Sequence, residues 1–205
     1  MKTACIAILF ALTLASIGLA ATPTPAVPAL PTGDEFTALR MAYAAQPDFT
    51  PYWTADPERE AILASIKQKD YPKTLALSKP WLAKVPVDAD IHLARAQACK
   101  RTGDIAGSMY HFHFFYGLLH SITASGDGKS AKTAFKVISV SEEYYLLDEI
   151  RAQLIDQSLV TPCDLMHVKL ADGTEVTLYF DVSISLAATA RQFKPDTPKA
   201  APKKP

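Results

Sequence analysis

The apolar periodicity of this chain changes at one place, and that change limits the folds open to it. Up to residue 124, apolar side chains recur at three- and four-residue steps, the period of helices. From "TAFKVISV" onward they fall in β-branched and aromatic runs, the mark of strands. The stretch between, "SGDGKSAKTAF" (Ser125 to Phe135), is a junction. Helices first and strands afterwards imply an α+β fold: an N-terminal helical lobe over 34–124, then a small β-α-β-hairpin lobe over 125–190. The two together form one compact domain.

The junction contains Gly-Lys-Ser, but it is not a phosphate cradle. A phosphate-binding loop requires glycine where Thr123 stands, and it must leave a strand and open a helix. This one leaves the helix "YGLLHSITA" and enters a strand. A calcium loop fails as well, because only Ser125 and Asp127 fit its ligand spacing, Lys129 follows, and there is no glutamate before Glu142. The glycines Gly126 and Gly128 instead permit a left-handed corner, across which Asp127 can bond its own backbone.

Within the helical lobe, Phe36, Leu39 and Tyr43 mark a short helix that Pro47 stops. "ADPERE" opens the next, with Asp56 as cap and Pro57 in the first turn; Ile62, Leu63 and Ile66 are its buried side. "KDYPKTLAL" at 69–77 aligns with "GDIAGSMYH" at 103–111, a separation of 34 residues, which is tetratricopeptide-like. Pro80 is expected to bend or split the helix that carries it. In the last helix, 105–124, the residues Ile105, Met109, Phe112, Tyr116 and Leu119 form one stripe. Phe114, Phe115 and Leu118 add apolar surface on other sides, so the helix is expected to be buried on several faces.

In the second lobe, apolar residues at both parities of "TAFKVISV" predict an interior strand. A helix through "EEYYLLDEIRAQL" follows, capped by Ser139 or Ser141, with Tyr144, Leu147, Ile150 and Leu154 inward. "IDQSLVT" adds a strand, and "DLMHVKLADGTEVTLYFDVSISL" is a hairpin turning at Asp172-Gly173.

The ends are of another kind. Residues 1–20 combine Lys2, an apolar core from Ile6 to Leu19 and the small residues Gly18 and Ala20, so they read as a signal peptide cleaved after Ala20. That implies export to a periplasmic or secreted location, without a transmembrane span in the mature chain. Residues 21–33 are a Pro/Ala-rich linker, and 191–205 a basic Pro/Lys tail without apolar period. The formal net charge is zero, yet residues 34–190 hold twenty acids against fifteen bases, and the tail five bases against one acid. Such a tail reads first as a solubilising segment, and its alternative is weak contact with an anionic surface; the acidic body excludes nucleic acid as a partner.

Chemistry-bearing patterns are sparse. His111, His113 and His120 do not share a helix side closely enough to hold an ion, and no acidic or thiol ligand accompanies them, so neither a metal nor a cofactor is called for. Glu142 and Glu143 diverge around their helix and suit the positive end of its dipole. His120, Ser125, Asp127, Lys129 and Ser130 are the polar residues the junction gathers, and they are the candidate binding residues. Cys99 and Cys163 can pair in an oxidising compartment or stay as buried thiols.

The block "SGDGKSAKTAFKVISVSEEY", with "FTALRMAYAAQPDFTPY" before it and "CDLMHVKL" and "TLYFDVSISL" after it, resembles a family of exported bacterial proteins known as a domain of unknown function. The resemblance spans about 35–186 and implies the same order of helical and α+β parts, but no reaction. The reading is a non-enzymatic exported protein that binds another protein or an envelope component through its helical lobe. Its rival is a hydrolase or transferase with a site at 125–130.

Overall fold

Two helix-to-helix turns, 34 residues apart, set the frame of the helical lobe. The computed structural model describes residues 30–193, so the signal-like segment, most of the linker and residues 194–205 lie outside it. In the first turn Asp70 N–H donates to Ser65 O at 2.9 Å, and the Asp70 carboxylate caps Lys73 N–H at 3.2 Å. In the second, Asp104 N–H donates to Cys99 O at 2.9 Å and its carboxylate caps Gly107 N–H at 2.8 Å. The residue before each aspartate is left-handed: Lys69 with φ 60° and Gly103 with φ 87°.

These turns join α2 (Pro57–Lys67) to α3 (Tyr71–Lys84), and α4 (Ala89–Thr102) to α5 (Ile105–Thr123). Asp56 caps α2 through Glu58 N–H at 2.9 Å, with Pro57 in the first turn as the sequence predicts. Each helix of α2–α5 packs on the next, and α1 (Gly33–Ala44) lies against α5. Pro80 does not split α3, which runs through it to Lys84. The ring removes one backbone donor, but the adjacent Trp81 is 1% exposed and its indole N–H donates to Asp88 at 2.8 Å, which holds the segment in place.

The predicted stripe of α5 is corrected. Its core side carries Phe114, Phe115, Leu118 and Ile122, whereas Ile105, Met109 and Tyr116 are exposed. A helix apolar on several sides has more than one candidate inner face, and periodicity cannot choose between them. The choice falls to neighbours: Phe36 of α1 meets Phe114 edge to face with centroids 5.3 Å apart.

The second lobe has β1 (Phe135–Lys136), α6 (Val140–Glu149), β2 (Gln153–Val160), β3 (Cys163–Lys169), β4 (Glu175–Asp181) and α7 (Ser183–Gln192). The fold is therefore α+β, with its helical lobe first. The sheet order is β1-β4-β3-β2, with β1 parallel to β4 and the other pairs antiparallel. The β3–β4 hairpin turns at Asp172-Gly173, where Gly173 has φ 88°.

Three expectations change here. The strand at "TAFKVISV" is two residues long and sits at a sheet edge. Val137 and Ile138 are fully buried because the chain leaves the sheet and enters the core, not because a strand is covered on both faces. In α6, Tyr144 and Ile150 are exposed while Glu142, Glu143, Tyr145, Leu146 and Leu147 face inward; Leu154 belongs to β2. "SISL" does not end the hairpin; it opens α7, which continues to Gln192.

One hydrophobic cluster runs from Phe36 to Ala188 through both lobes. Among the described residues no helix is long and apolar enough to cross a membrane. β2 forms the sheet edge opposite β1, with Ile155, Leu159 and Val160 exposed.

Candidate functional site

The corner gathers most of its polar residues, and they bond one another. Ser125 Oγ donates to Ile122 O at 2.6 Å and accepts Lys136 N–H at 2.8 Å. The Asp127 carboxylate accepts Thr133 Oγ–H at 2.6 Å and Lys129 N–H at 3.0 Å, bonds that hold it below the usual carboxylate range. Ser130 Oγ lies 3.0 Å from Thr133 Oγ, and Lys129 Nζ stands 3.9 Å from Asp127 in solvent. Thr133 is the member that sequence reasoning missed. His120 is exposed and its ring makes no hydrogen bond among the described residues. Cys99 and Cys163 are each buried as free thiols.

Buried charge lies elsewhere, at the start of α6. Arg40 of α1 clasps Glu142 through Nε at 2.8 Å and Nη2 at 2.5 Å, and donates to Ser121 Oγ at 2.8 Å and Lys136 O at 2.9 Å. Glu142 also accepts Ile138 N–H at 2.8 Å. Nearby, Arg59 of α2 binds Asp88 at 2.8 Å and also Asp90, while Asp88 accepts Trp81 Nε–H. Ser141 touches both Arg59 and Asp90. These two networks tie α1, α2 and α4 to α6 and so join the lobes.

Glu143 points the other way, toward Asp164 of β3. Burial pushes its carboxyl up to about 9, aided by Asp164 and then Glu142. Glu143 Oε2 and Asp164 Oδ1 are both buried without a partner among charged or neutral donors, and a protonated Glu143 carboxyl can donate toward Asp164. Asp164 is further held by Gln157 Nε2–H at 2.6 Å. In the unfolded chain Glu143 loses its proton near 4.5, but in the folded chain only near 9. Between those values the folded state binds more protons, so stability falls as pH rises. Thermal midpoints should drop by several degrees from pH 5 to pH 9, and Glu143→Gln, which keeps a donor toward Asp164, should flatten that slope. An unchanged slope in the variant would refute a protonated Glu143 in the folded chain.

The histidines of α5 go separate ways. His113 Nε2–H donates to Pro31 O at 2.6 Å. His111 joins His92 of α4 and Arg95 in a chain whose tautomers follow from its ends. Pro86 O can only accept, so His92 Nε2 carries the proton at 3.1 Å. His92 Nδ1 is then bare and accepts His111 Nδ1–H at 3.0 Å, leaving His111 Nε2 to accept Arg95 Nε–H at 2.9 Å. Burial foremost pushes His92 down to about 3 and His111 to about 4, as two neutral rings require. Among the described residues no three metal-ligating side chains converge.

On the open side of α5, Ile105 is 59%, Met109 68% and Tyr116 53% exposed. Phe112, between them in sequence, stacks on Tyr116 with centroids 6.4 Å apart. This is an apolar strip on the outside of the helical lobe, opposite the side that fills the core.

A family model described as a domain of unknown function (DUF4919) matches residues 28–191, from before α1 into the last turn of α7. The chain belongs to the DUF4919 family. No curated protein and no solved structure matches it.

In this DUF4919 chain Arg40 and Arg59 are engaged with buried acids, and the corner is closed by its own hydrogen bonds. Large apolar side chains stay exposed on the outer face of α5 and on β2. A sequence signal for the buried networks did exist: Arg40 lies four residues after Phe36 and three before Tyr43, on the inner stripe of α1. An arginine at such a position requires a buried acid.

Proposed function

We propose that the protein is an exported, non-enzymatic binding protein that holds another protein or an envelope component on its helical lobe. The strip Ile105–Met109–Tyr116 is the observation that carries this reading. Large apolar side chains at helical spacing, on a helix whose opposite side is already filled, favour a partner surface. The turn pattern repeated at 34 residues supports tetratricopeptide-like stacking, an architecture that offers extended binding surfaces. The rival reading, a hydrolase or transferase at 125–130, is disfavoured because Ser125, Asp127 and Ser130 are committed to the corner itself. Residues 1–20 support a periplasmic or secreted location, which N-terminal sequencing of the mature protein would test. Contact of the basic tail with an anionic surface is tested by removing 194–205 and comparing soluble and membrane fractions.

A photo-crosslinking residue placed at Met109 of the full chain, in its native envelope, should give a discrete adduct. The same residue at Leu159 of β2 should not. The double variant Ile105→Asp/Tyr116→Asp, with the probe kept at Met109, should lose the adduct while keeping its thermal midpoint. Adducts from Leu159 alone, or equally from both positions, would overturn the assignment to the helical lobe.

A further inference from the structure

The α2–α3 and α4–α5 turns border a cleft of about 590 Å³, lined by Lys67, Lys69, Lys100 and Arg101 together with Tyr71 and Phe112. None of the described residues lining it is acidic, and none of the four cations has an ion-pair partner among the described residues. That is a segregated patch on a body with more acids than bases. Cations in the last turns of α2 and α4 complement the helix dipoles, which accounts for Lys67, Lys100 and Arg101. It does not account for Lys69. Lys69 occupies a left-handed position with φ 60°, and the equivalent place in the next turn is held by glycine. A lysine there is strained relative to glycine, and strain of this kind persists where a side chain is wanted for another purpose.

The cleft also runs into the apolar strip, because Phe112 lines the cleft and stacks on Tyr116. We infer that the cleft receives an acidic segment of a partner polypeptide, its carboxylates against the four cations and a neighbouring apolar side chain against Phe112 and the strip. This rests on the reading that the helical lobe is the binding face. The chain's own remaining segments do not qualify as occupants: residues 1–29 and 194–205 contain a single acid, Asp196, beside four lysines in the tail. A concave site lined by aromatics suits a chain segment better than a planar lipid surface.

The test uses the full mature chain and a fluorescein-labelled octapeptide of alternating Glu and Leu, with an analogue in which Gln replaces Glu. The Glu peptide should bind on the order of tenfold tighter, and the preference should fade at high salt. Lys69→Gly should unfold at the same or a higher temperature yet bind the Glu peptide on the order of threefold more weakly. Lys100→Glu/Arg101→Glu should abolish the preference. Equal binding of the two peptides, or unchanged binding in Lys69→Gly, overturns the inference; so does binding to phosphatidylglycerol vesicles without binding to the peptide. Its failure is separable from that of the parent reading. A Met109 adduct without preference for the acidic peptide removes the acidic partner and keeps the face, and no Met109 adduct removes the face itself.

Discussion

Replacing Arg40 by alanine will destabilise the protein by roughly 3–5 kcal/mol, because it strands a buried carboxylate. Arg40 and Glu142 are each 1% exposed, and the guanidinium meets both carboxylate oxygens. Taking either charge away leaves the other in a medium that cannot solvate it, and Ser121 and Lys136 O lose their donor as well. Against a typical total of about 5–15 kcal/mol, this is a large share. Glu142→Ala should cost a similar amount, because Arg40 then remains charged and alone. Arg40→Met combined with Glu142→Leu should recover most of the loss, since neither charge is then buried. Urea denaturation of the four chains decides the matter. A loss below about 1 kcal/mol in Arg40→Ala would place the pair among ion pairs that contribute little.

The second large effect is expected at Gly128. Its φ is 66°, and a Cβ there would stand 2.2 Å from the Phe135 ring. Its N–H donates to Thr133 O and its C=O accepts Tyr179 N–H, each at 2.8 Å, so the corner is stitched to β4 through this residue. Gly128→Val adds left-handed backbone strain to displacement of a ring that packs against Phe180, together about 3 kcal/mol or more. Gly173→Ala is the control. That glycine is also left-handed, but no atom lies within 4 Å of its missing Cβ, so the variant should lose only about 1 kcal/mol. Equal losses at the two sites would mean that the contact with Phe135 contributes nothing.

Local chemistry was readable in the sequence, and choices made by distant neighbours were not. Asp56, Gly103 and Asp172-Gly173 each act within a few residues of their own position, and each does in the fold what its residue type predicts. The inner face of α5 is set by α1 and α4, and the brevity of β1 by the core into which Val137 and Ile138 turn. Glu142 and Glu143 read as dipole partners because solvated acids and buried acids at a helix start look alike in a string. The partner that distinguishes them, Arg40, is 102 residues away. Of the corner residues, Asp127 was legible as a turn former, but Thr133, which completes its hydrogen bonding, gave no signal.

The separation between Arg40 and its partners also orders events in time. A chain made from its N-terminus presents α1 before the other described elements, yet Ser121 follows Arg40 by 81 residues and Glu142 by 102. Helices α2 to α5 are sequential neighbours and close short loops, so they can assemble while later segments are still missing. Helix α1 can lie on α5 through Phe36 once α5 is made, but the Arg40 charge meets its carboxylate only when α6 arrives. The site of Arg40 is thus complete only with the second lobe in place, so that among the described elements the first in the chain depends on one of the later ones.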